Sequence, residues 1–199
     1  MTAAAGFAWL AAVVAPGSTS GFDFAVRDGI HRWASEPLTA AMRAATQFGD
    51  GWVLWPLGML IVVWLEREGR RMEAVLFAIA VIGANLVDEG MKLVFHRPRP
   101  EPFFGYPSPV TYSFPSGHSF VSCCFYLALA EVLVDPDWGA GRKVGVWMGA
   151  AAVTLLVGLS RVYLGVHYPT DVMGGYAGAV AWAALVRVAH HRWWSRTTA

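Results

Sequence analysis

Two histidines, an aspartate and three cations are spaced so that, if brought together, they could transfer a phosphoryl group. Ser160-Arg161 is followed by His167 and then by Asp171, with Pro169 between the last two. Proline suits the first turn of a helix, so Asp171 would lie close enough to accept a hydrogen bond from one imidazole nitrogen of His167. A carboxylate in that position fixes the tautomer, leaves the other nitrogen to attack, and stabilises the cationic ring that attack creates. Upstream, Pro115-Ser116-Gly117-His118 stands directly ahead of an apolar run. Serine is a favoured N-cap and glycine lets a ligand approach the backbone, so this helix end would offer its free N–H groups to an anion, with His118 alongside. Lys92 and Arg99-Pro100 supply two further cations on a segment stiffened by prolines, suited to a multiply charged anion such as phosphate. Each cluster alone has a plainer reading: boundary cations anchor helices, a Ser-Gly pair caps, and an isolated histidine packs.

The elements that must position these residues are apolar helices. Of 199 residues 56% are hydrophobic and 15% charged, a balance unusual for a soluble domain of this length. The formal net charge is +1, which gives no basic surface for nucleic acid. Crossing a bilayer takes roughly 20 mostly apolar helical residues. Five stretches approach that length: Trp52 to Leu65, Met72 to Phe95, His118 to Val134, Val144 to Leu159 and Asp171 to Ala189. A sixth, shorter stretch from Ala3 to Ala15 is read as a first span ending at Pro16-Gly17. The expected fold is all-α, an integral membrane helical bundle of five or six transmembrane helices, with residues 1–199 forming one membrane domain. Cys123 and Cys124 are adjacent in an apolar run, where they act as small hydrophobes.

Orientation follows from the lysines and arginines. Arg67, Arg70 and Arg71, then Arg142 and Lys143, then Arg187, Arg192 and Arg196 fall on one side by alternation, the cytoplasmic side. The loops at 92–118 and 160–171 then face the opposite, extracytoplasmic side of the cell (inner) membrane. Lys92, Arg97, Arg99 and Arg161 sit there against the charge bias, which calls for a separate reason. Residues 22–48 read as an outer-face amphipathic segment, with Phe22, Val26, Ile30 and Trp33 at helical spacing and Asp23, Arg27, Asp28 and Arg32 between them. Asp88 and Glu89 precede Lys92 at i,i+4 and i,i+3 distances and compete to aim it. Phe103, Phe104, Tyr106, Tyr112 and Phe114 make the first loop aromatic, as in a segment dipping into headgroups.

The three clusters occur together, in order and on one expected face, and that combination is specific. The sequence resembles the type 2 phosphatidic acid phosphatase family, whose three motifs are matched by Lys92 with Arg99-Pro100, by Pro115-Ser116-Gly117-His118, and by Ser160-Arg161 with His167 and Asp171. The resemblance implies a helical bundle that hydrolyses lipid or prenyl phosphates or pyrophosphates with no metal and no cofactor. It implies His167 as the nucleophile forming a phosphohistidine, Asp171 as its orienting partner and His118 as the general acid. Lys92, Arg99, Ser116, Gly117 and Arg161 are the implied phosphate-binding residues. The expected partners are the bilayer and a membrane lipid phosphate such as phosphatidylglycerol phosphate, phosphatidic acid or undecaprenyl pyrophosphate. Lipid-to-lipid phosphotransfer needs only a different acceptor, and a lipid phosphate transporter would need the anion site without the nucleophile. Soluble vanadium-dependent haloperoxidases share the motif set, but the long apolar stretches argue against them.

Overall fold

The computed structural model describes residues 5–8, 11–12 and 20–197, with side chains as far as residue 192. Most of the expected first span, Ala3 to Ala15, and the Arg196 side chain lie outside the described residues. From residue 20 onward the chain forms seven helices, with no strand among the described residues. These are α1 (Gly21–His31), α2 (Glu36–Gln47), α3 (Gly51–Arg67), α4 (Arg71–Phe95), α5 (Gly117–Leu133), α6 (Ala140–Tyr163) and α7 (Pro169–Thr197).

Among the described residues three helices are long and apolar enough to cross a membrane: α4, α6 and Pro169–Arg192 of α7. Their outward faces carry Leu86, Val94, Met148 and Leu155, all at least 60% exposed. Such rows of bare aliphatic side chains are stable against lipid, not water. Two of the five expected spans form at the expected places but are short. α3 and α5 are 17 residues each, about 26 Å at the helical rise, short of the ~30 Å hydrocarbon core. α3 reaches span length only when joined to α2 across a 42° bend. α5 lies inside the bundle, packed against α4, α6 and α7. It buries Phe120, Cys123, Cys124, Phe125 and Ala130, which point to different sides of the helix, so it has protein neighbours where a peripheral span has lipid.

Two apolar clusters fix the bundle. Leu54, Ile61 and Leu65 of α3 meet Phe77 and Val81 of α4 and Phe125 of α5, and Ala84, Phe120, Cys123, Cys124 and Ala179 join α4, α5 and α7. The C-terminal ends of α4 and α6 and the N-terminal ends of α5 and α7 therefore carry the loops of all three sequence motifs.

The segment at 22–48 forms two helices instead of one, and in α1 two polar residues of the amphipathic pattern turn inward. Asp23 and Arg27 of α1 are buried, while Phe22, Phe24 and Trp33 are exposed. Ser20 caps α1 in a reciprocal capping box with Asp23. The polar face turns inward because it has partners there: Arg27 donates to the Glu101 carbonyl and lies 4.0 Å over the Phe103 ring. His31 stacks on Phe103 at 3.9 Å, so α1 straps the loop that follows α4.

Candidate active site

α4 ends on His96 in the left-handed conformation, φ 48°, and this turns the chain into the loop carrying Arg97 and Arg99. Arg99 is held at two points. Its Nε donates to the Thr111 carbonyl at 2.6 Å, and its Nη1 donates to the Val166 carbonyl at 3.0 Å and meets His167 Nε2 at 2.9 Å. A guanidinium can only donate, so His167 Nε2 carries a lone pair and the ring proton sits on Nδ1. The nitrogen that faces the cation is thus the one with electrons to give.

His167 is buried, and burial above all depresses its pKa well below the ordinary 6.5. The positive charges of Arg99, Arg161 and Lys92, and of His118 when protonated, push the same way. Arg99 is itself pushed down to about 10 by burial and by Arg161, and stays charged at neutral pH.

Asp171 lies beside His167 as expected, with Oδ2 3.4 Å from Nδ1. That is an ion-pair distance, longer than the expected hydrogen bond, and Nδ1 makes no hydrogen bond. Closer donors occupy the carboxylate: Ser113 Oγ at 2.5 Å and the Tyr168 N–H at 2.8 Å on Oδ2, and Arg97 on Oδ1. Arg97 spans two carboxylates, since its Nη2 donates to Asp23 Oδ2 at 2.8 Å. Thr170 donates to Asp23 through its backbone N–H at 3.0 Å and through its hydroxyl. Burial raises the Asp23 pKa, but the Thr170 and Arg97 bonds together outweigh it and leave the carboxyl lowered. Asp23 and Arg97 form the buried platform under Asp171, and Asp23 is contributed by α1, far away in sequence.

Lys92 is aimed by both competitors, Asp88 at 2.6 Å and Glu89 at 2.9 Å. Gly117 faces this pair so closely that a Cβ there would stand 2.7 Å from Asp88 Oδ2 and 3.0 Å from Lys92 Nζ, so any larger residue would push these side-chain ends aside. Ser116 is the N-cap of α5 by position but caps with no side-chain bond; its Oγ accepts from Ser119 and its N–H donates to the Asp171 carbonyl at 3.0 Å. The first N–H groups of α5 are left for another acceptor. Arg161, also buried, donates from Nη1 to Thr46 Oγ1 at 2.7 Å, which ties α6 to α2. His118 Nε2 lies 3.1 Å from Asp50 Oδ1, at the bend between α2 and α3.

The structure thus gathers Lys92, Arg99, Arg161, His118 and His167 into mutual electrostatic range, with Ser116 and Gly117 at the neighbouring helix end. Asp23, Asp50, Thr46 and Thr170 had no sequence signal as site residues. Arg97 had one, a cation on the disfavoured face. A cavity of about 170 Å³ runs from Lys92, Gly117 and His118 between α3, α4 and α5, past Leu54, Trp55, Val81 and Val121.

The family model of the PAP2 superfamily matches residues 73–195. Phosphatidylglycerophosphatase B of Bacillus subtilis (strain 168) is 33% identical over 142 residues, 70% of this chain and 69% of that protein. An undecaprenyl-diphosphatase of Sulfolobus acidocaldarius is 28% identical over 144 residues, 70% of this chain and 64% of that protein. The crystal structure of a transmembrane PAP2-type phosphatidylglycerolphosphate phosphatase from Bacillus subtilis superposes with a TM-score of 0.86 at 28% identity, covering 96% of this chain and 95% of that one. Motifs, helical bundle and matched relatives agree: this chain, a multi-pass membrane protein, belongs to the PAP2 superfamily.

Proposed function

We propose that this protein hydrolyses a lipid or prenyl phosphate or pyrophosphate, with phosphatidylglycerol phosphate the first candidate and phosphatidic acid and undecaprenyl pyrophosphate the next. The observation that carries the reading is the 2.9 Å contact between Arg99 Nη1 and His167 Nε2. It pairs a neutral nucleophilic nitrogen with a cation that can transfer its hydrogen bond to an arriving phosphoryl oxygen.

In the first half-reaction His167 Nε2 bonds to phosphorus as the bond to the leaving oxygen breaks. His118 gives that oxygen its proton. Arg99, Lys92, Arg161 and the open N–H groups of α5 take the charge that builds on the equatorial oxygens. Asp171 stabilises the phosphorylated, cationic imidazole through Nδ1. In the second half-reaction a water, losing its proton to His118, attacks the phosphohistidine and releases inorganic phosphate. The apolar side of the cavity, Leu54, Trp55, Val81 and Val121, suits a lipid whose phosphate sits at Lys92 and His118. The cations near the site lie at the helix ends opposite Arg67, Arg71 and Arg142, which supports an extracytoplasmic site in the cell membrane.

The test is phosphate release by the purified full chain in detergent from a panel of these lipids, in the presence of a chelator. Turnover of at least one lipid is expected. Strict dependence on an added divalent ion would contradict the proposed chemistry.

A further inference from the structure

The family motifs give His167 a carboxylate partner and give His118 none. From the geometry of the bend between α2 and α3 we infer that Asp50 is a positioning residue for His118, holding its ring and stabilising its protonated form. The inference rests on the proposed role of His118 as proton donor to the leaving oxygen.

Asp50 occupies the N-cap of α3, where an aspartate ordinarily accepts from the helix's own N–H groups, yet it makes no side-chain cap hydrogen bond. Its Oδ1 instead lies 3.1 Å from His118 Nε2. Asp50 is the only hydrogen-bond partner of the His118 side chain among the described residues. Both side chains are partly buried, at 28% and 22% exposure, so the pair is shielded while His118 lines the cavity. The chain is built to allow this approach. A Cβ on Gly49 would stand 2.6 Å from Val157 Cγ1 and 3.2 Å from His118 Cδ2, so glycine lets the bend close onto the histidine. Tyr126 of α5 donates to the Phe48 carbonyl at 2.8 Å and pins the same turn to the helix that carries His118.

The consequence for the chemistry is specific. With Nε2–H donated to Asp50, the proton for the leaving oxygen comes from Nδ1. As the phosphorus–oxygen bond breaks, that proton moves to the oxygen and His118 is left neutral, still anchored through Nε2. Other charged groups act on the ring from the elements around it: Arg161 of α6, Lys92 of α4 with its partners Asp88 and Glu89, and His167 of the loop before α7. Apart from the two Lys92-bound carboxylates, these are cationic or neutral. Asp50 is the carboxylate that favours the imidazolium directly. Removing its charge moves the alkaline limb of activity to lower pH while leaving the acid limb, set by His167, in place.

The experiment compares the full chain in detergent with Asp50→Asn, Asp50→Glu, His118→Ala, the Asp50→Asn/His118→Ala double variant and His167→Ala. Two substrates are used: dioctanoyl phosphatidic acid, whose alkoxide must be protonated to leave, and p-nitrophenyl phosphate, whose leaving group departs without a proton. Asp50→Asn is expected to lower kcat on the lipid by roughly 10- to 100-fold, part of the general-acid contribution, and to move its alkaline limb down by about one pH unit. The loss on p-nitrophenyl phosphate is expected to be under about threefold, Asp50→Glu to recover most of the lipid activity, and the double variant to be no slower than His118→Ala. Equal losses on both substrates with unmoved pH limbs, or a double variant slower than His118→Ala by the full Asp50 factor, would overturn the assignment and leave Asp50 a structural residue. Should Asp50→Asn fail to fold, Asp50→Glu alone decides: an alkaline limb unchanged from the wild type with intact turnover supports the inference, and a uniform loss on both substrates opposes it. Retained lipid turnover in His167→Ala is a separate result, which removes the catalytic reading itself.

Discussion

At His167 the environment alone selects a state. A buried imidazole facing Arg99 across 2.9 Å, with further positive charge around it, is neutral and presents a lone pair. His167→Ala is expected to abolish lipid phosphate release while leaving the protein folded in detergent, as judged by an unchanged size-exclusion profile. Arg97 is the second decisive residue. It is buried between Asp23 and Asp171, so Arg97→Met leaves two carboxylates buried without their shared cation. Breaking such a pair costs about 3–5 kcal/mol, and a clear fall in thermal midpoint with loss of turnover is expected. The sequence showed Arg97 as a cation on the wrong side of the membrane without saying why, because its partners are more than seventy residues away in either direction. The His167–Asp171 proximity was legible because i,i+4 spacing across a helix start is local geometry. That Asp171 would spend its closest bonds on Ser113, Tyr168 and Arg97 was not, since Ser113 and Arg97 reach it only after the loops have closed.

Among the elements, α5 does most to build the site. It is the central helix, and it delivers Ser116, Gly117 and His118 at its N-terminus. Gly117→Ala places a methyl group against the Asp88–Lys92 pair, so Lys92 must shift; weaker inhibition by inorganic phosphate is expected, with little change in the bundle. Phe120→Ala opens a fully buried position between α4 and α7 and is expected to cost about 3–5 kcal/mol, read as a lowered thermal midpoint. Hydrophobic runs located α3 to α7 in the sequence, because a helix core of this composition has no other way to satisfy its backbone in lipid. They could not show which helix lies inside the others: α5 is apolar on several sides because protein surrounds it, and a buried 17-residue helix reads like a span. In α1 the amphipathic pattern was legible but the partners of its polar residues were not: Phe22, Phe24 and Trp33 are exposed while Asp23 and Arg27 are buried, bonded to Arg97 and the Glu101 carbonyl of the loop after α4.

For the whole molecule, the cations that break the orientation rule are accounted for by the site: Lys92, Arg99 and Arg161 converge on His167, and Arg97 braces Asp171. This gives a pH signature. Because the folded protein holds His167 neutral well below 6.5, the acid limb of kcat/KM is expected below that value. Stability carries the same sign: below 6.5 the unfolded chain takes up a proton that the folded chain refuses, so the thermal midpoint in detergent is expected to fall as the solution is acidified. The most direct measurement is to mix the full chain with phosphate-labelled phosphatidylglycerol phosphate, quench within the first turnover under conditions that preserve phosphoramidates, and locate the label by peptide mass spectrometry. Label on His167, absent in His167→Ala, is the expected result; turnover with the label on another residue, or turnover persisting in His167→Ala, would contradict the account.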